Sequence, residues 1–259
     1  MEKSKRPFIA KEFFNRMSHL GELQAVLDPN DKLGYKNYYI DLIHKTALRQ
    51  VISFDKIKLA LDFGCGLGRV ARWLAERVEH VEAVDIAKEM INRAKEMLRE
   101  YNNISVSLYD ANRLLYDDHT FDLVTVIWIL QHVIDISSVN NILSEVSRVT
   151  KQDGIVIFIE RTTNDEPHEK GMPEDYIIRR PIRLYRELFN NNGLKVHLHY
   201  PVRTSLPICN SGFIQQLLYS GKVPVYFFPL IIKLDLFLQK RNMDAQWADV
   251  LFSCSKGPK

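Results

Sequence analysis

The residues best equipped for chemistry fall between positions 62 and 111. Asp62 follows the apolar run Leu59-Ala60-Leu61 and opens a loop in which Gly64, Gly66 and Gly68 alternate with Cys65 and Leu67. Glycines at alternate positions let the backbone turn tightly from a strand into a helix. They also let a ligand approach with no Cβ in the way. Roughly twenty residues on, Asp85 ends a second apolar run with Ile86 beside it, spaced to accept hydrogen bonds from both hydroxyls of a ribose. Asp110 follows a third run in Leu108-Tyr109-Asp110-Ala111. Three carboxylates at successive strand ends fall along one crevice at the carboxyl edge of a parallel sheet. Taken singly, each has an ordinary use as a strand-end cap, a helix N-cap or a turn residue, so the joint spacing is what points to a ligand. Arg69 either reaches that ligand or occupies a solvated helix position.

A nicotinamide dinucleotide is the obvious candidate ligand, but it wants a third glycine where Arg69 stands. Its pyrophosphate would also lie among Asp62, Asp85 and Asp110. S-adenosylmethionine has no phosphate and presents a cationic amine and a sulfonium, which carboxylates favour. From Leu59 to Glu160 the chain resembles the class I S-adenosylmethionine-dependent methyltransferases, the broad group that includes ubiquinone and menaquinone methyltransferases. The resemblance implies a Rossmann-like α/β fold, a seven-stranded, mostly parallel sheet with an antiparallel last strand. It implies that Asp62 and the backbone of Gly64, Cys65, Gly66 and Gly68 hold the methionine end. Asp85 with Ile86 would hold the ribose, and Asp110 with the Ala111 amide the adenine. In the run Phe121 to Val133 it places the Ile127 backbone at the methionyl amine.

The elements that must position these residues follow from periodicity. Helical patterns at Lys11 to Leu27 and Tyr35 to Val51, separated by a turn-rich stretch, make residues 1–55 an N-terminal cap or lid. Within it, Lys36-Asn37-Tyr38-Tyr39 resembles the lid helices of the superfamily. Residues 56–160 alternate short β-rich runs with helical ones, the rhythm of βαβ units, and end on Gly154 to Glu160, whose unbroken apolar run suits a strand covered on both faces. Residues 161–259 complete the sheet. They begin with a polar loop, Arg161 to Asp175, followed by a helix near Pro181 to Asn190 and a strand near Leu194 to Tyr200. A helical insertion from Cys209 to Lys240 precedes the last strand, Ala248 to Ser255.

Methyl transfer from a sulfonium needs alignment in a dry pocket more than it needs a side chain. A hydroxyl or ammonium acceptor adds the need for a base, and His132, just past the fourth strand, is the candidate. Its other reading is a structural one, capping the turn before Asp135. His168, His197 and His199 stand in reserve, and Trp128 and Tyr109 either line the crevice or fill core. No Asn-Pro-Pro-Tyr or Asp-Pro-Pro-Tyr run follows the fourth strand, which argues against exocyclic amines of nucleobases. No acidic cluster suggests a metal, and no cysteine is placed as a nucleophile. The expected acceptor is a small molecule or conjugate methylated on O, N or C, with glycans, quinones and lipids open. The alternatives are an RNA or protein methyltransferase, using basic residues such as Arg179, Arg180, Arg183 and Arg186, and a non-catalytic S-adenosylmethionine-binding protein.

Composition bounds the rest. A formal net charge of +3 gives no field that implies a nucleic-acid partner. Three scattered cysteines fit a reducing, cytoplasmic setting. No apolar run is long enough to span a bilayer. Val223 to Leu238 is the richest apolar segment, expected either as core or a dimer face, or as a wall for a lipid-like acceptor touching the membrane surface. Oligomeric state is not legible.

Overall fold

A computed structural model of the chain describes residues 6–164, 168–170, 177–204, 217, 219–239 and 247–257. Leu59-Ala60-Leu61 and its counterparts become the parallel strands β1 (Leu59–Phe63), β2 (His80–Asp85), β3 (Ile104–Leu108), β4 (Phe121–Ile127) and β5 (Thr150–Thr163), ordered β3-β2-β1-β4-β5 across the sheet. The last strand, β9 (Trp247–Lys256), inserts antiparallel between β5 and β8 (Leu194–Thr204). These strands are the sheet that the resemblance implied.

Two further strands extend it. β6 (His168–Lys170) and β7 (Ile177–Pro181) form an antiparallel pair, and β7 runs parallel to the end of β5 at Thr162 and Thr163. The polar stretch after Glu160 was expected as loop, yet β5 continues to Thr163. Arg161, Thr162 and Thr163 find ladder partners in Asp249, Ala248 and Trp247 of β9, so backbone pairing keeps polar residues in a strand.

Helices cover both faces, as a parallel sheet requires. On one side α3 (Tyr35–Val51) and α4 (Arg69–Ala75) bury Tyr39, Ile43, Leu48, Trp73 and Leu74 against Ile157 and Leu251. On the other, α6 (Ile136–Val149) and α7 (Ile182–Asn191) bury Leu143, Val146, Tyr185 and Phe189 against Phe158 and Phe252. The helix α5 (Lys88–Met97) follows β2.

The cap's second helical pattern is α3 to the residue. Its first divides into α1 (Arg6–Met17) and α2 (Glu22–Val26), broken before Gly21. Both halves are anchored to the core. Arg93 of α5 donates to the Leu20 carbonyl at 2.7 Å and to that of Ser18, and Arg72 of α4 donates to both Glu22 oxygens at 2.8 Å.

Of the helical insertion, the described part is led by α8 (Phe228–Gln239); residues 205–216, where its start was expected, lie outside the described residues. One face of α8 is core, with Phe228, Ile232 and Leu236 buried and Asp235 accepting from the Tyr39 hydroxyl at 2.5 Å. The other face leaves Leu230, Leu234 and Phe237 exposed beside Tyr226 and Phe227. Among the described residues no helix is long and apolar enough to cross a membrane.

Candidate functional site

A cavity of about 370 Å3 opens at the carboxyl ends of β1, β2 and β4, under the cap. Asp62, Gly64, Cys65, Gly66, Asp85, Ile86, Ala111, Ile127 and His132 all line it, while Gly68 and Asp110 do not. Gly68 instead starts α4, and the exposed Asp110 carboxylate turns back to accept from the amides of Asn112 and Arg113 at 2.9 and 3.3 Å. Those bonds hold the Asp110 pKa below the usual carboxylate range.

The glycine loop needs its glycines. Gly64 and Gly66 have φ of +78° and +55°, and a Cβ at either would fall 2.1 Å from the Ile129 side chain or 2.5 Å from that of Val26. The Gly66 amide donates to Asp85 Oδ2 at 2.9 Å, and the Ala87 amide to Asp85 Oδ1 at 2.8 Å. With about four lone-pair sites, the Asp85 carboxylate keeps room to accept from a ligand. Burial raises the Asp85 pKa, the amide bonds opposing it.

Asp62 is buried, and Thr125, its register partner on β4, donates to Oδ1 at 2.9 Å. Its Oδ2 is buried with no hydrogen-bond partner. Burial pushes its pKa up to about 6. An orphaned carboxylate oxygen in a cavity wall is costly until a donor or cation arrives.

Arg69 is buried rather than solvated. It donates to Asp41 of α3 at 3.0 Å and lies 3.3 Å from His44 Nδ1, so it joins α3 to α4. Burial, then Arg69 and other nearby cations, hold the His44 pKa well below its ordinary value, keeping the ring neutral.

Two wall residues adopt left-handed backbone without being glycine, Ala111 at φ +68° and Trp128 at φ +59°. Such conformations persist only where surroundings impose them. After β4, the imposition comes from Glu160 at the cavity end of β5. Fully buried, its carboxylate accepts from the amides of Ile129 and Leu130 at 2.9 and 2.8 Å and of Gln131 at 3.0 Å. Buried Arg180 grips the same turn from its carbonyl side, donating to Leu130 at 2.6 Å and to Val133. Burial pushes the Glu160 pKa up to about 7 against the pull of those amides. Glu160 was not picked out as a site residue from the sequence, and Arg180 read only as one of a basic run; the signal was a carboxylate closing the apolar run Gly154 to Ile159, which burial obliges to find partners.

His132 ends this turn, in the 3-10 segment Leu130–His132. Its Nε2 lies 3.1 Å from Gln131 Nε2, and Phe14 of α1 meets its ring edge-on at 5.1 Å. It lines the first cavity and also a second one of about 440 Å3, sharing that wall with Phe14, Val26 and Trp128. His197 and His199 line neither: one lies 2.5 Å from the Ser255 hydroxyl and the other stacks on Phe252. The side chain of His168 lies outside the described residues. Trp128 and Tyr109 both line the first cavity while remaining buried. Among the described residues no acidic, His or Cys group has the arrangement of a metal site.

Comparison with known proteins agrees with this geometry. Residues 61–158 match the family described as methyltransferase domain. A demethylmenaquinone methyltransferase of Alkalihalophilus pseudofirmus is 34% identical over 135 residues, which is 50% of this chain and 56% of that protein. The chain thus spans about half the length of the curated relatives it matches. Among solved structures, Haemonchus contortus phosphoethanolamine N-methyltransferase 1, in complex with phosphoethanolamine and S-adenosylhomocysteine, aligns at a TM-score of 0.68 and 18% identity, covering 100% of this chain and 50% of its own. The DhpI–S-adenosylhomocysteine complex aligns at 0.62 and 15% identity, with full coverage of both chains. At these identities the likeness is one of fold.

The raised Glu160 pKa makes a prediction. The folded chain holds a proton there up to about pH 7, whereas the unfolded chain loses it near 4.5. The proton-linked stability is therefore present below 4.5 and lost as pH rises to 7, at up to about 1.4 kcal/mol per pH unit. Glu160→Gln cannot titrate, so wild type should lose stability relative to this variant between pH 5 and pH 7 in urea denaturation. A difference that does not change with pH rules this out.

Proposed function

We propose, from the premise that the chain is built on a class I S-adenosylmethionine-dependent methyltransferase domain, that it transfers a methyl group to a small molecule or small-molecule conjugate. The carrying observation is the crevice itself, in which Asp62 with its orphaned oxygen and Asp85 face a glycine loop. That arrangement suits a cationic, phosphate-free nucleoside and repels a pyrophosphate. When bound, S-adenosylmethionine supplies a methyl group on a positively charged sulfur.

The chain's part is to hold, align and exclude water. Asp62 and the loop backbone from Gly64 to Gly66 would take the methionine end, with the Ile127 backbone at its amine. Asp85 and Ile86 would take the ribose, and Ala111 the adenine side. Asp110, by its turn geometry, would act through the loop it shapes. His132, on the wall common to both cavities, would accept the proton from an acceptor hydroxyl or ammonium.

The run Arg179, Arg180, Arg183, Arg186 does not form one basic face, because Arg180 is buried in the turn that carries His132. This favours a small acceptor over RNA. The curated relative is named for demethylmenaquinone, which supports the same class. The buried free thiols Cys65 and Cys254 accord with a reducing compartment, and we place the protein in the cytoplasm. The exposed stripe Tyr226, Phe227, Leu230, Leu234 and Phe237, beside exposed Lys222 and Lys233, would rest on an anionic membrane surface. Wild type should then co-sediment with vesicles containing phosphatidylglycerol, and Phe227→Ser with Leu230→Ser should not. Wild type that stays in the supernatant ends this part of the reading.

Calorimetry tests the cofactor. S-adenosylmethionine and S-adenosylhomocysteine should bind in preference to NAD, and Asp85→Ala should cost about 1.5 to 3 kcal/mol of that binding. With the Asp62 pKa at about 6 in the free protein, a cationic ligand selects the ionised form. Affinity should fall by up to about tenfold from pH 7 to pH 5 in wild type and stay level in Asp62→Asn. Tighter NAD binding would sink the proposal. Turnover to S-adenosylhomocysteine with a metabolite pool, read by mass spectrometry, separates catalysis from mere binding.

His132→Ala should lower turnover by about a hundredfold or more with cofactor affinity nearly unchanged. An unaltered rate assigns His132 to the turn alone.

A further inference from the structure

The methionine end of S-adenosylmethionine carries a carboxylate as well as an amine, and the wall of the first cavity is acidic, with Asp62, Asp85 and Asp135 all lining it. An anionic group placed there meets repulsion unless a cation faces it. Among the described residues Arg69 is the one lysine or arginine that lines this crevice. The cations Lys36, Arg161, Arg179 and Arg203 border the second cavity instead.

The cap engages only part of the Arg69 guanidinium. Nη1 donates to Asp41 Oδ1 at 3.0 Å, and Nη2 lies 3.3 Å from His44 Nδ1. Asp41 divides its charge, because its other oxygen accepts from Lys45 at 2.7 Å. His44 adds no counter-charge, since burial, then the nearby Arg69, keeps its ring neutral. Among the described residues one carboxylate thus answers two cations. A guanidinium is a planar fork with more donors than these two contacts use, so it can serve a second carboxylate without leaving the first. Arg69 is only 5% exposed, which keeps solvent from screening its charge within the crevice. That charge already reaches the methionine end. Burial raises the Asp62 pKa, and the opposing pulls are the Thr125 hydrogen bond and then Arg69.

We propose that Arg69 receives the carboxylate of the cofactor's methionine end while keeping its bond to Asp41. This rests on the methyl-transfer reading above. The side chain then separates ligands that carry this carboxylate from ligands that lack it, which the aspartates of the crevice cannot do. It also joins the occupant of the crevice to α3 through a single guanidinium.

The test is calorimetric titration of the full chain with S-adenosylhomocysteine and with decarboxylated S-adenosylhomocysteine, which keeps the adenosine, the sulfur and the amine. With acidic walls alone the decarboxylated ligand, the more cationic of the two, should bind more tightly. With Arg69 facing the carboxylate, S-adenosylhomocysteine should instead be favoured by about tenfold or more. Arg69→Gln should remove that preference and leave the affinity for the decarboxylated ligand nearly unchanged. If Arg69→Gln binds neither ligand, and so has not folded, Arg69→Lys replaces it. A single ammonium lacks the fork that spans two carboxylates, so the preference should again shrink. Wild type that favours the decarboxylated ligand, or treats the two alike, overturns the proposal whether or not a variant folds. A preference that survives in the variant overturns it too, as does a partial loss shared equally by both ligands. Each of these results leaves the methyl-transfer reading standing, whereas wild type that binds neither ligand takes down both.

Discussion

The Glu160 carboxylate, buried at the end of β5, carries more of the site than any other group. Three consecutive amides converge on it, and without it the turn from Ile129 to Gln131 would present buried donors with no acceptor. Arg180 satisfies the carbonyl side of the same turn. Between them they fix a short irregular segment that periodic structure could not hold. That segment sets Trp128 in its left-handed conformation at one end and His132 at the other. Each of these borders both cavities, so the wall that the cavities share depends on these hydrogen bonds.

The cap works by a second set of charges. Arg69, Arg72 and Arg93 leave the core helices and grip Asp41, Glu22 and the carbonyls before Gly21. Replacing any one of these partners leaves a charge with its desolvation uncompensated, which costs more than the pair itself contributes. The result is a roof whose helices are too short to be stable alone and exist because the core holds them.

Much of this was legible beforehand, for identifiable reasons. Alternation of apolar runs with amphipathic ones gave the parallel strands, and α3 was read to its terminal residues because a glycine precedes it and its apolar spacing runs unbroken. The loop at Gly64 and Gly66 was legible because few residues tolerate positive φ, so chemistry writes it into residue type. What was not legible is non-local. The break between α1 and α2 goes with carbonyls that accept hydrogen bonds from Arg93, far along the chain. Arg180 read as one of a basic run, since its burial comes from β7 pairing with a strand that had been expected to end earlier. Arg161, Arg179 and Arg203 lie on three strands and meet only once the sheet has closed around β9.

Phe14 and Val26, both from the cap, face the two cavities at once. Any ligand that settles these side chains in one compartment alters the surface offered to the other. The free energy so transferred is a property of the pair of occupants and not of either alone, and it is equal in both directions. Two ligands, one in each compartment, would therefore be thermodynamically linked through two apolar side chains on helices of 12 and 5 residues. Substitutions at Phe14 or Val26 fall on that linkage.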